Sequence, residues 1–230
     1  MTDERLQDLV RGRLLGDLWP SVPLRPLPDI GAREYALRRL RQYISLLVFR
    51  RTEGPGLAPQ AFRIPADKIN IYQPDDVKDP PDLPGIAMLP GTMDHEYWGL
   101  GSPRPDEETI DKYAPGTVVV WLSDYYETFL LDIWSAKHAM RRAITEGLKV
   151  GLRLQEDTMA LNLTLPDYFD QIATFNLIGG PGYLEDAEVA KNRRHAQIPI
   201  EVWVPEVVLV DYRRLKIRLD FGGPGARYIE

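Results

Sequence analysis

The sequence predicts an α+β fold: a mainly antiparallel or mixed sheet flanked by two main helices. Three observations carry that expectation. First, Ile198, Ile200, Val202 and Val204 alternate with Pro199, Glu201 and Trp203, and Leu215, Ile217, Leu219 and Phe221 alternate with Lys216, Arg218 and Asp220. Strand side chains point to opposite faces with a period of two, so these are sheet segments with one committed core face. Second, two stretches carry apolar stripes at helical spacing. Third, strands and helices do not alternate regularly, as they would in a parallel α/β chain.

Taken in order, residues 1–30 read as an N-terminal arm. Leu6, Leu9, Val10, Leu14 and Leu18 have helical spacing, weakened by Gly12 and Gly16. Pro20, Pro23, Pro26 and Pro28 then favour extended, polyproline-like chain. The leucines of this arm suit either docking on a neighbour or packing on their own domain.

Residues 31–221 are expected to form a single α+β domain. The first strong helix starts at Gly31, with Asp29 as its N-cap. It buries Ala32, Tyr35, Ala36, Leu40, Tyr43, Ile44, Leu47 and Val48 and turns its arginines outward. Ile44–Phe49 would also serve as a strand.

From about 52 to 116 prolines and glycines are dense, and only Phe62–Ile64 and Lys68–Tyr72 look like strands. This segment reads as a proline-rich, acidic loop insertion reaching toward a partner. The body resumes with a strand at Thr117–Leu122. Ser123 or Asp124 is placed to cap a long helix over Tyr126–Leu148. Strands follow at Met159–Leu165 and Ala173–Ile178, joined by a turn at Pro166–Asp167. Gly179-Gly180-Pro181-Gly182 breaks the chain before the last strands, and residues 222–230 form a tail. No internal repeat of fixed period is present.

Of the 230 residues, 44% are hydrophobic and 27% charged, enough apolar material for a sizeable core. The net charge of −6 disfavours a general nucleic-acid binder, which needs a basic surface. No apolar run approaches the roughly 20 residues that span a bilayer, so no membrane partner is expected. Met1-Thr2-Asp3-Glu4 is polar, with no signal-like stretch after it, which fits synthesis in the cytoplasm. Without cysteine there is no disulfide framework or thiolate metal site.

Motifs that carry chemistry are scarce. Asp94-His95-Glu96 holds imidazole and carboxylate donors suited to zinc or manganese, but no second histidine lies at ligand spacing and HExxH is absent. A solvated acidic loop is the plainer reading. His138 reads as a polar-face helix residue, and His195, beside Arg193 and Arg194, as a contact or edge residue. No G-x-S-x-G elbow and no phosphate-binding glycine loop is present. No catalytic, cofactor-binding or metal-binding residue is therefore assigned.

Charge distribution says more. Gly31–Glu53 carries six arginines and two glutamates, whereas Asp75–Asp111 carries ten carboxylates against one lysine and one arginine. Opposite patches on one chain can pair between identical subunits, and a head-to-tail contact closes a ring when the rotation allows.

In order and spacing, these elements resemble the tail terminator and related neck (head–tail junction) proteins of tailed bacteriophages. The matching elements are the helix over Ala32–Val48, the strand Thr117–Leu122 and the long helix Tyr126–Leu148. After them come Leu165-Pro166-Asp167-Tyr168-Phe169 leading to a strand, and Asn192-Arg193-Arg194-His195-Ala196 entering Ile198–Val204. The resemblance covers Gly116–Phe221 and the first strong helix, with no signature peptide. It implies a structural, non-enzymatic virion protein without cofactors, a homo-oligomer forming a hexameric ring. Such a ring caps the tail tube, contacts tube and sheath proteins and joins the tail to a head-side connector or stopper. DNA would pass through it without sequence-specific binding. Two other classes stay open from the residues: a metal-dependent hydrolase using Asp94, His95 and Glu96, and a non-ring adaptor that docks through its N-terminal arm.

Overall fold

The computed structural model describes residues 31–52, 54, 56, 58–73, 76, 81–91, 93–97, 104–153, 160–184 and 194–211. The expected arm, the strand at 215–221 and the tail lie outside these residues. The fold is α+β, as the sequence predicts. Helices α1 (Ala32–Leu46) and α2 (His138–Gly151) accompany eleven strands among the described residues. The strands are β1 (Phe49–Arg51), β2 (Gln60–Phe62), β3 (Ile69–Ile71), β4 (Gly85–Leu89), β5 (Met93–Tyr97), β6 (Arg104–Asp106), β7 (Thr117–Ser135), β8 (Leu161–Leu165), β9 (Gln171–Leu177), β10 (Gly182–Leu184) and β11 (Arg194–Asp211).

The chain divides into two compact units. Of the described residues, one takes in those within 104–122 and 207–211; the other takes in those within 31–97 and 123–206. In the larger unit the main sheet runs β3-β4-β7-β11-β9-β8, with β10 on β11 and β5 on β7. The β3–β4 pair is parallel, and β4–β7, β5–β7, β8–β9, β9–β11 and β10–β11 are antiparallel. Helix α1 packs against both β3 and β8, the two ends of this path, so the sheet curls around it. Ala32, Ala36, Leu37, Leu40 and Ile44 form its buried stripe. Phe129, Leu131, Phe175, Ile200 and Val202 of the sheet are buried as well. In the smaller unit, β6 pairs with the first part of β7.

Several expectations are corrected. The residues expected in a long helix, Tyr126–Leu148, begin as strand: β7 runs unbroken for 19 residues to Ser135, and α2 starts only at His138. Ser123 and Asp124 are therefore strand residues and cap nothing. The physical cause is a buried charge. From Tyr126 to Leu131 burial alternates residue by residue, with Glu127, Phe129 and Leu131 inside. Glu127 takes an inward position and Leu130 a half-exposed one, so residue type alone hides the period of two.

Where the sequence suggested two strands between 52 and 116, five are found among the described residues, β2 to β6. β4 belongs to the core, with Ile86 and Met88 buried. Its prolines flank it, Pro84 before and Pro90 after, where a missing N–H costs no ladder bond. Gly85 opens β4 because a Cβ there would lie 2.3 Å from the Asp82 carbonyl oxygen.

The N-cap of α1 is Gly31, with no side-chain cap bond, instead of Asp29. The ambiguous Ile44–Phe49 stretch is divided: Ile44 stays helical, Leu47 turns extended, and Phe49 begins β1. β11 continues through Pro199 and Pro205 and is a single strand of 18 residues.

Candidate interaction surfaces and buried polar clusters

Two polar clusters lie inside the larger unit. In the first, Arg33 of α1 grips Glu127 of β7: Nε donates to Oε2 at 2.8 Å and a terminal nitrogen to Oε1 at 3.2 Å. Tyr125 donates its hydroxyl to the same Oε2 at 2.9 Å. Arg33 also donates to Gln73 Oε1 at 2.8 Å and to the Tyr72 carbonyl at 3.3 Å, tying α1 to the chain after β3. Glu127 is fully buried, and these donors satisfy its carboxylate oxygens away from water. Burial first, then the adjacent Glu127 carboxylate, hold the Tyr125 phenol well above its ordinary value of 10.0.

In the second cluster, Asp132 of β7 receives Trp134 Nε1–H at 2.8 Å, and His195 Nδ1 of β11 lies 2.8 Å from its other oxygen. An ionised carboxylate only accepts, so Nδ1 carries the proton. The imidazole stacks on Trp134 with centroids 4.5 Å apart, and buried Arg141 donates to the His195 carbonyl at 3.1 Å. An aspartate orienting a histidine supplies two of the three members of a nucleophilic triad. Ser135, the nearest serine in sequence, instead donates its hydroxyl to the Lys137 carbonyl at 3.1 Å. Both clusters thus join strand to helix or strand to strand through buried polar contacts, although Arg141 Nε itself has no hydrogen-bond partner among the described residues. His195 is the second residue of β11, opposite Leu184, and is largely buried, a contact position at the strand entrance.

The remaining singled-out residues do not converge. Asp94, His95 and Glu96 lie in β5, opposite Tyr126, Tyr125 and Asp124 of β7, and so belong to a strand instead of a loop. His138 is exposed at the start of α2, consistent with a polar position. Among the described residues, no group of three or more His, Cys, Asp or Glu side chains is arranged to hold a metal ion. No described helix is long and apolar enough to cross a membrane. Of the helix arginines, Arg38 pairs with Glu34 one turn away at 2.9 Å, whereas Arg33 turns into the core.

Two surfaces stand out. The face of the sheet turned away from the core carries a row of side-chain hydrogen bonds across neighbouring strands. Tyr126 of β7 donates to Glu201 of β11, Asn176 of β9 donates to the same carboxylate at 3.2 Å, and Thr174 of β9 pairs with Asn162 of β8 at 2.8 Å. Trp203 and Ile172 are exposed on this face. The second surface is an open groove of about 710 Å³ where β1 crosses α2. Gly147 makes it possible: a Cβ there would lie 2.6 Å from the Phe49 ring. Leu47 packs similarly on Gly151, and Tyr43 donates to the Gly151 carbonyl at 2.6 Å. Burial raises the Tyr43 phenol above its ordinary value. Leu47, Phe49 and Ala143 form the floor, and Arg50, Arg142 and His138 stand at the rim.

Neither buried cluster was legible in the sequence, because both join residues far apart in the chain. One local sign was present: Glu127 and Asp132 sit within a run of aromatic and aliphatic residues free of glycine and proline.

The chain matches no known family model, and comparison with curated proteins gives no match.

Proposed function

We propose that this chain is a structural virion protein of a tailed phage, a ring-forming subunit of the tail terminator or neck class. In this reading it assembles as a homohexamer, caps the tail tube, meets tube and sheath proteins and joins the tail to a head-side connector or stopper. DNA passes through the ring without sequence-specific contacts.

The observation that carries the reading is where the large apolar side chains are left. The buried charges at Glu127 and Asp132 are engaged by internal partners, and Arg141 donates to the His195 carbonyl. Yet Leu46, Val48 and Val150 stand exposed around α2 and β1, and Ile172, Ile178 and Trp203 stand exposed on β9, just after it and on β11. Grouped exposed apolar residues mark surfaces covered by a partner. The succession α1, β7, α2, β8, β9 and β11 keeps the order on which the resemblance rests, with the helix after β7 starting at His138 instead of Tyr126.

Light scattering of the purified chain, with electron microscopy of the same sample, tests the reading. Rings that bind tail-tube ends are expected. A monomer at every concentration, with no affinity for tubes, overturns it.

A further inference from the structure

We propose that the groove between β1 and α2 is the acceptor half of a head-to-tail contact between copies of this chain. The donor half is the Glu107–Asp111 projection of the neighbouring copy. This rests on the ring reading and deepens it by naming the two surfaces.

The acceptor is preformed. Phe49 and Leu47 are seated on Gly147 and Gly151, and the Tyr43 hydroxyl fastens the end of α1 to the end of α2. Val150 is 63% exposed and Val48 52% exposed at this groove, so its apolar surface faces outward. Arg50 and Arg142 are exposed at the rim, while Glu146, the acid of the rim, is paired with Lys149 at 3.0 Å. The groove therefore asks for an apolar side chain flanked by carboxylates.

The donor has that composition. Ile110 is 47% exposed, and Glu107, Glu108 and Asp111 around it are exposed. The projection is held from beneath. Val119 N–H donates to the buried Thr109 hydroxyl oxygen at 2.9 Å, Asp111 N–H donates to the Thr117 carbonyl at 2.8 Å, and Gly116 N–H donates to the Asp111 carboxylate at 2.5 Å. A rigid donor and a rigid acceptor lose little conformational entropy on docking. The charges are complementary and set register. Because the two surfaces differ, the contact is heterologous, the kind that propagates around a ring.

The test uses the full chain. One variant reverses the rim (Arg50→Glu with Arg142→Glu), another reverses the projection (Glu107→Arg with Glu108→Arg). Each alone is expected to raise the concentration for half-assembly by about tenfold or more, with an unchanged circular dichroism spectrum. Mixing them in equal amounts should restore assembly, since reversed rim then meets reversed projection and native meets native. The absence of cysteine allows a second measurement. Combining Ile110→Cys with Val150→Cys should give, under mild oxidation, a ladder of linked subunits, which neither single variant gives. Wild-type rings with folded variants that assemble normally, and no ladder, overturn this contact and leave the ring reading standing. A monomeric wild type overturns both.

Discussion

Arg33 and Glu127 meet in the core as a two-point ion pair, 94 residues apart in sequence, with Nε 2.8 Å from Oε2 and the carboxylate wholly buried. This contact fastens α1 to the middle of the curled sheet. It also fixes which face of β7 points inward.

Removing one partner leaves the other charge buried without compensation. Arg33→Met should destabilise the fold by about 3–5 kcal/mol, and adding Glu127→Leu should recover much of that loss. Urea denaturation of the single and double variants measures both. Equal stability of Arg33→Met and wild type would refute the assignment.

The Tyr125 phenol is held above 10.0 in the folded state by burial and by Glu127. Below pH 10 the tyrosine is protonated in both folded and unfolded chains, and its contribution is fully present. As pH rises past the unfolded value, only the unfolded chain ionises, so stability falls. Denaturation midpoints between pH 8 and pH 11 should decline, and Tyr125→Phe should flatten the decline. The residual slope is expected from Tyr43, whose phenol is raised by burial as well.

Gly147 lies mid-helix, where alanine gains about 1 kcal/mol of helix propensity. Here a side chain meets the buried Phe49 ring, and overpacking of this kind costs about 1–3 kcal/mol. Gly147→Val should therefore lower the melting temperature although it removes a glycine. A gain in stability would show that β1 can move off α2.

Asp132 accepts from both Trp134 and His195. Asp132→Ala leaves two buried donors without their acceptor, a cost of about 1–3 kcal/mol for each unsatisfied group. Tryptophan fluorescence should change, because Trp134 loses its anchor. His195→Phe keeps the stack and should cost less than Asp132→Ala.

How much of this was legible in sequence differs from element to element. β11 was, because its inward positions are uniformly Ala, Ile or Val and its outward ones are not. α1 was, because Ala32, Ala36, Leu40 and Ile44 repeat at helical spacing. β7 was misread because its inward positions include Glu127, whose cost of burial is offset only by Arg33 and Tyr125. β4 was missed because four core residues between prolines are too few to show a period. The groove was invisible because it depends on two glycines meeting Leu47 and Phe49 from another element.

Local chemistry by itself determined the α+β class, the alternating strands, the arginine-rich helix and the separation of acidic from basic stretches, since propensity and periodicity act between near neighbours. Tertiary structure alone decided which charges are buried, that β7 continues as a strand past Leu122 to Ser135, and that an apolar groove opens on α2. Those outcomes depend on partners distant in the chain, and a buried charge is stable only once folding has delivered its donors.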